Sequence, residues 1–339
     1  MATTPNISTF ELPQLNDLIE RDFKDALKSM DWELRESNIV LETQMPMNSG
    51  VFTRYAEQID VNELASSRPE GDASRQARVQ YGYEKDLEVK PFALALGVTK
   101  LMKLSNKGGE LDRIIKKFVE TVPNRIEQDL ANRFSFFAST SYVNKDGETV
   151  NITVGDGLAW GSTAHTLTGS GTTYSNIATG NPQFSEGALE ALEKQFVEAT
   201  YNNLGELMAL KPDTIITTLD PNTCNAVAKL MNATADTSSS NSGTFNVYKN
   251  KYKHLAVSRI ATTATGAPDT TKAKYWALAA SDYSDFHLEI LEDPYVLTPS
   301  VAGNGIDIST ENLTYVSGAT YGICVVTGKW IRFSKWDWS

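Results

Sequence analysis

A regular alternation over residues 78–90, RVQYGYEKDLEVK, most constrains how this chain can fold. Apolar side chains share one face of this stretch: Val79, Tyr81, Tyr83, Leu87 and Val89. A period of two residues predicts a β-strand with one buried face. A weaker alternation over residues 51–61, VFTRYAEQIDV, precedes it, and the polar segment between the two contains Pro69 and Gly71. The two stretches together predict a long hairpin with a wide tip.

The predicted hairpin is too long to be stable by itself. Each arm of about 12 residues, at about 3.3 Å per residue, would extend on the order of 40 Å. An isolated two-stranded ribbon is at best marginally stable in water. The hairpin therefore needs another surface to lie on.

Amphipathic helices are predicted on both sides of the hairpin. Before it, apolar residues recur at helical spacing from Leu15 to Met30, and Pro13 suits the first turn. After it, residues 110–138 carry one apolar stripe, which predicts a helix of about 43 Å. The stripe consists of Leu111, Ile114, Ile115, Phe118, Val119, Val122, Ile126, Leu130, Phe134 and Phe137. Pro123 lies inside this helix and lacks a backbone donor, so a kink or slight break is expected there.

The remainder of the chain mixes helices and strands without steady alternation. A helix is predicted over residues 185–203, followed by a short buried strand at 214–218 and a helix capped by Asp220. The C-terminal run predicts antiparallel strands that turn at Gly318 and Gly328. Segregated helices and strands place the chain in the α+β class.

Charge and cysteine usage argue against several classes of function. The 42 acidic and 31 basic residues give a formal net charge of −11, so binding to nucleic-acid phosphates is not expected to be the main function. The sequence shows neither a basic start followed by an apolar segment nor an apolar run of membrane-spanning length, which predicts a protein made and kept in a cytoplasm. Cys224 and Cys324 are far apart in sequence and are expected to be free, buried thiols.

The segment LAWGSTAHTLTGSG, residues 158–171, holds one of the three histidines, His165, where an enzyme could keep a catalytic base. No Asp, Glu, Cys or second His stands near it in ligand spacing, and His254 and His287 lie in separate predicted strands. A catalytic or metal-binding role would require these distant residues to converge. Phosphate-cradle and nucleophile-elbow motifs are also missing from the sequence. We therefore predict no catalytic, cofactor-binding or metal-binding residue, and expect a structural or solvent-exposed histidine.

The order of these elements resembles that of the major capsid proteins of tailed bacteriophages, which have the Hong Kong 97 fold. That order is an N-terminal arm, an extended hairpin, a long helix, a mixed α+β region and a terminal set of strands. The segment GLAWGSTAHT is similar to a motif of the Mu-type major head subunit family, in which a glycine and a bulky apolar residue precede a Ser or Thr and a His. FSEGALEALEKQF and KPDTIITT follow in the order of that family. The chain departs from it at Thr166, where proline is more common. The resemblance covers roughly residue 45 to the end.

The resemblance implies an α+β capsid fold with five regions. These are an N-terminal arm (1–47), an extended loop (48–98), a peripheral domain (99–183) with a spine helix at 110–138, an axial domain (184–312) and C-terminal strands that return to the peripheral domain (313–339). His165 then becomes a loop residue near the base of the subunit. The hairpin charges are expected to contact other subunits: Arg54, Glu57, Arg68, Glu70, Arg75, Arg78, Glu84 and Lys85.

The implied function is structural rather than enzymatic, without cofactors and without a membrane. Hexamers and pentamers of the chain would form an icosahedral shell around phage double-stranded DNA, assembled in the cytoplasm of a host bacterium. A separately encoded scaffold, portal and decoration proteins are the implied partners, and packaged DNA would be contacted non-specifically. Two alternatives remain open: an encapsulin-like nanocompartment shell that encloses cargo enzymes, and a cytoplasmic enzyme that uses His165.

Overall fold

The computed structural model describes residues 12–30, 32–46, 50–61, 65, 67–99, 101–102, 110–235, 244–299, 306–307 and 312–334. Its longer helices are α1 (Leu12–Ser29), α2 (Glu110–Val119), α3 (Thr121–Ser135), α4 (Glu186–Glu198) and α5 (Pro221–Asn232). Its strands, in chain order, are β1 (Val40–Gln44), β2 (Phe52–Ala56), β3 (Asp60–Val61), β4 (Val79–Gln80), β5 (Glu84–Glu88), β6 (Lys90–Val98), β7 (Ser141–Val143), β8 (Thr149–Asn151), β9 (His165–Thr166), β10 (Thr173–Tyr174), β11 (Thr214–Thr218), β12 (Lys253–Val257), β13 (Trp276–Ala279), β14 (Phe286–Leu297), β15 (Ile306–Asp307), β16 (Asn312–Val325) and β17 (Ile331–Ser334).

A five-stranded sheet joins distant parts of the chain. Strand β14 pairs in parallel with β1 and antiparallel with β16, and the other edge of β16 pairs with β6. The short β15 pairs with the start of β16. Because β6 follows directly after the predicted hairpin, this sheet anchors the hairpin to the body of the protein.

A four-stranded sheet has the order β12–β11–β13–β17. Every residue of β11 is buried, as the sequence predicts. Helices α4 and α5 share an apolar cluster with β11 and β13, in which Leu192 and Leu230 contribute beside Ile215 and Leu278. The predicted cap of α5 is confirmed, since the side chain of Asp220 accepts a hydrogen bond from the backbone N–H of Thr223 at 3.0 Å.

Helix α3 lies in one apolar core that both sheets share. Its buried residues pack with Phe286 and Ile290 from the larger sheet and with Ile216 and Phe333 from the smaller one. The ring of Phe134 on α3 is at the centre of this core, 5.6 Å from the ring of Phe286 and 6.5 Å from that of Phe333. The two sheets are therefore stabilised together by the same helix.

The predicted long helix is two helices with a break at Glu120. Pro123 lies in the first turn of α3, where a missing N–H leaves no hydrogen bond unmade. The expected break is thus confirmed three residues before the proline. Helix α2 packs against α1 in a separate cluster that includes Leu15, Ile19 and Phe118. One residue of the predicted stripe is different: Ile114 is 37% exposed.

The C-terminal strands differ from the prediction. Strand β16 runs without a turn through Gly318, where a Cβ atom would come within 2.7 Å of the Tyr295 hydroxyl. Glycine is needed there for close packing between β16 and β14, and only the turn at Gly328 is present. Beyond that turn, β17 pairs with β13 of the smaller sheet rather than with β16.

The predicted domain ranges stay a prediction, and strand pairing bears on them at two places. Strand β14, inside the predicted axial range, belongs to the sheet that contains β6 and β16. Strand β17, inside the predicted peripheral range, belongs to the sheet of β11. The outer parts of the predicted arm and of the C-terminal region, residues 1–11 and 335–339, lie outside the described residues.

Cys224 and Cys324 are free thiols, as predicted, but the prediction that both are buried is correct only for Cys324, because Cys224 is partly exposed. Within the described ranges, no helix combines the length and the apolar character needed to cross a bilayer.

Candidate inter-subunit hairpin and the polar groups beneath it

The predicted hairpin is confirmed as two consecutive antiparallel ladders. Strand β2 pairs with β5, from Phe52 opposite Glu88 to Ala56 opposite Glu84, and β3 pairs with β4 further out. At the far end of the hairpin, between β3 and β4, residues 67–78 are all exposed. We call residues 62–77 the tip; residues 62–64 and 66 of it lie outside the described residues.

The apolar face of the hairpin is covered only at its base. Leu87 and Val89 are 2% and 4% exposed, whereas Val79 and Tyr81, on the same face further out, are 50% and 69% exposed. Phe52, which is opposite Glu88 on the other face of the ladder, is 62% exposed. Exposed apolar side chains grouped on one element mark an interaction surface. The outer hairpin therefore offers such a surface to a partner.

The hairpin also lies on its own chain. The Asp60 carboxylate accepts a hydrogen bond from the backbone N–H of Asn203 at 2.6 Å, and the Thr168 hydroxyl donates to the carbonyl of Tyr81 at 2.8 Å. At Gly322 in β16, a Cβ atom would come within 2.5 Å of the Leu87 side chain, so glycine lets the hairpin base approach the larger sheet. The sequence predicts that the hairpin needs a surface to lie on, and its own chain provides part of that surface.

Among the hairpin charges, one group stays within the hairpin. Arg54 forms ion pairs with Asp86 at 2.7 Å and with Glu84 at 3.2 Å across the β2–β5 ladder. All three side chains are more than half exposed, so these pairs contribute little to stability. Three further predicted contact residues lie in the exposed tip: Arg68, Glu70 and Arg75.

The other group of hairpin charges contacts the body of the same chain. Arg78 donates to the carbonyl of Gly169 at 3.2 Å, and Lys85 donates to the Thr153 hydroxyl at 3.0 Å. Glu57 is only 7% exposed. Its own chain therefore covers most of Glu57. An inter-subunit role for all eight hairpin charges stays a prediction.

Glu57 belongs to a charged group beneath the hairpin that the sequence did not reveal. One oxygen of its carboxylate forms an ion pair with Lys329, and the other accepts a hydrogen bond from the backbone N–H of Tyr83 at 3.1 Å. Asp285 lies beside them on the wall of a cavity of about 230 Å³. Burial, together with the negative charge of Glu57, raises the pKa of Asp285 to about 7. The hairpin is therefore attached at a place where a carboxyl group titrates near neutral pH.

We expect Asp285→Asn to stabilise the protein at pH 8 by about 1 to 2 kcal/mol, allowing for solvent screening. The pKa of Asp285 near 7 in the folded state lies above its value of about 4 in the unfolded chain. The folded state holds the extra proton between these values, so wild-type stability falls as the pH rises from about 4 to about 7. The variant has no carboxyl group at this position, so its stability does not fall with pH for this reason.

Urea unfolding at pH 5 and pH 8 measures the difference. Asp282→Asn, at an exposed acidic position three residues earlier, is the matched control. The same pH dependence in wild type and Asp285→Asn would contradict the assignment.

His165 is buried, not a solvent-facing loop residue: it is 1% exposed and lies in β9, opposite Tyr174 of β10. Its Nδ1 atom is 2.7 Å from the Asp156 carboxylate, and its Nε2 atom is 3.0 Å from the carbonyl oxygen of Trp160. The rings of His165 and Tyr174 stack with centroids 5.1 Å apart. The expectation that His165 has no acidic neighbour is corrected by Asp156, nine residues earlier in the chain.

Both ring nitrogens of His165 face oxygen atoms of the same chain. Nε2 faces the Trp160 carbonyl, and Nδ1 faces the Asp156 carboxylate. Burial raises the pKa of Asp156, but hydrogen bonds from His165 and from the backbone outweigh that effect, so its pKa is lowered and it is a carboxylate. Contacts within the chain therefore occupy both ring nitrogens, and they are those of a structural histidine.

The described residues contain no group of three or more His, Cys, Asp and Glu side chains placed to hold a metal ion. Asp156, Asp285 and Lys329 are the residues of these polar groups that sequence reasoning missed. Asp156 stands between two glycines in VGDGL, but neither periodicity nor spacing links it to His165. Asp285 and Lys329 meet Glu57 only through the tertiary structure.

Comparison with protein-family models and with curated proteins gives no match. Among solved structures, the chain is similar to the capsid of Myoviridae phage XM1, with a TM-score of 0.52 at 12% identity over 90% of this chain and 91% of that one. It is similar to a chain of Gordonia phage Cozz, with a TM-score of 0.51 at 12% identity over 91% and 90% of the two chains. It is also similar to the mature capsid of bacteriophage PhiM1, with a TM-score of 0.50 at 8% identity over 88% and 85%. The chain has the α+β fold of phage capsid proteins, as the resemblance implied.

Proposed function

We propose that this chain is the repeated subunit of a phage capsid shell. The observation that carries the proposal is the fold shared with the capsid of phage XM1 over 90% of this chain. At 12% identity, that likeness concerns architecture, so the function is inferred from architecture and surface together.

The surface of the hairpin supports the proposal. Val79 and Tyr81 on its outer half, and Phe52 near its base, are each at least half exposed. A second copy of the chain is a suitable cover, because closed assemblies repeat the same contact at every subunit. The predicted hairpin charges would lie at the rim of that contact and set its register.

We further infer that the subunits form hexamers and pentamers around double-stranded DNA, in a virion assembled in a bacterial cytoplasm. A separate scaffold, portal and decoration proteins would complete the particle. The net charge of −11 supports only loose, non-specific contact with packaged DNA. The role is structural, and His165 supports the fold rather than an activity.

Deletion of the tip, residues 62–77, is expected to leave a folded, soluble subunit that does not form stable shells. The described residues of the tip are exposed and, within the chain, bond chiefly to one another, as Arg68 does to Ser74 at 3.3 Å. Circular dichroism tests folding, and sedimentation velocity tests assembly. Wild-type protein should sediment as large particles and the deletion as subunits. Particles of normal size and yield from the deletion would contradict the proposal.

The content of wild-type particles distinguishes the alternatives. Nucleic acid inside particles from the natural source supports the capsid. Co-purifying enzymes inside a shell free of nucleic acid would support a nanocompartment instead. A wild-type protein that stays monomeric under all assembly conditions would contradict both the capsid and the nanocompartment.

A further inference from the structure

A cavity of about 350 Å³ lies between the hairpin base, helix α3, the β7–β8 hairpin and β16. Four cationic side chains line it, and two of these have carboxylate partners. Lys90 forms an ion pair with Glu148, and Arg125 forms ion pairs with Asp129 at 2.8 Å and with Asp146 at 3.0 Å.

The other two cations, Lys85 and Arg133, form no ion pair with a carboxylate of the described residues. Lys85 donates to the Thr153 hydroxyl at 3.0 Å. Arg133 donates to the backbone carbonyls of Asn151 at 3.3 Å and Ile323 at 2.8 Å. Its Nε–H is buried and has no hydrogen-bond partner among the residues that the structure describes. A buried donor of a charged group without a partner is costly.

The charge of these two side chains is only partly offset, by Asp86 near Lys85 and by Asp129 near Arg133. Burial lowers the pKa of both, and the positive charge of Arg133 lowers the pKa of Lys85 further. Cys324, on the same wall, supplies no negative charge, because burial raises the pKa of its thiol to about 12. Four carboxylates line the same cavity: Asp86, Glu88, Asp129 and Glu148. None of them forms an ion pair with Lys85 or Arg133, so these two cations remain available to a further acceptor.

We propose that Lys85 and Arg133 bind an oxyanion, a phosphate or a carboxylate, in this cavity. A guanidinium and an ammonium that converge on one space are the groups that bind such anions with charge-assisted hydrogen bonds. Lys85 belongs to β5 of the hairpin and Arg133 to α3, so the bound anion would join the hairpin to the helix. The anion is either free in solution or the side chain of an Asp or Glu from a second copy of this chain. Binding of a free anion does not depend on shell assembly.

Titration calorimetry of unassembled subunits tests the site with sodium phosphate and, separately, sodium acetate, against sodium chloride at equal ionic strength. Wild-type protein should bind phosphate, and Lys85→Met should weaken binding by about tenfold or more. Lys85→Arg keeps the charge and should restore most of the affinity. Lys90→Met is the matched control, because Lys90 lines the same cavity but has a carboxylate partner; its affinity should stay within about twofold of wild type.

Failure of phosphate and acetate to bind wild-type subunits would overturn the proposal. Equal binding by wild type and Lys85→Met, with Lys85→Met folded by circular dichroism, would overturn it as well. The same titration on assembled particles separates the two sources of anion. Binding retained in particles identifies an anion from solution, and binding present in subunits but lost in particles identifies a carboxylate of a second copy. If the chain forms no particles, the proposed function fails while the subunit titration still decides the site.

Discussion

Replacing His165 with alanine is expected to lower the free energy of unfolding by about 3 to 5 kcal/mol. The substitution leaves the Asp156 carboxylate, whose side chain is 5% exposed, without its hydrogen-bond partner. It also removes the contact with the Trp160 carbonyl and the stacking with Tyr174. An exposed loop histidine with one hydrogen bond would contribute only about 1 kcal/mol, so the size of the effect reports a buried carboxylate that has lost its partner.

Urea unfolding of the subunit measures this difference, with two further variants as comparison. His254→Ala removes a half-buried imidazole whose Nε2 atom is 2.8 Å from the Thr217 hydroxyl, and should cost about 1 kcal/mol. Combining His165→Ala with Asp156→Asn should recover part of the loss, since no unpaired charge then remains buried. A single His165→Ala variant within about 1 kcal/mol of wild type would show that the contact with Asp156 stabilises the fold no more than one ordinary hydrogen bond does.

Phe118→Asp is expected to give insoluble or protease-sensitive protein, because it costs about 3 to 5 kcal/mol. Phe118 is 5% exposed and packs in the cluster that joins α2 to α1 and to Tyr315 of β16. An aspartate there would bury a charge without a partner and leave a cavity in the cluster. Solubility, limited proteolysis and the thermal midpoint measure the outcome.

Ile114→Asp is the matched control for this substitution. It introduces the same charge into the same helix, at a position that is 37% exposed, and should cost less than about 1 kcal/mol. A wild-type melting curve for Phe118→Asp, or equal losses for the two variants, would show that α2 does not pack through Phe118.

Elements whose signals are local could be predicted from the sequence. Alternation over residues 78–90 predicted the hairpin, and helical spacing from Leu15 onward predicted α1, because side-chain direction follows the backbone period. Asp220 and Pro123 marked a helix start and a helix break, since both act on hydrogen bonds within a few residues of themselves. These effects require no knowledge of the rest of the fold.

Contacts between distant polar groups could not be predicted in this way, because they depend on the packing of the whole fold. Glu57 and Lys329 form an ion pair although they lie 272 positions apart in the numbering, and Asp285 joins them beneath the hairpin. The pairing of β17 is a second example. Its residues predict a strand, but its pairing with β13 rather than with β16 depends on the core around α3. Burial and pairing of this kind are set by the sum of many packing contacts, and no residue pattern along the chain encodes a single one of them. That is why the sequence predicted the fold class and the hairpin, while the role of His165 became clear only from the side chains that surround it.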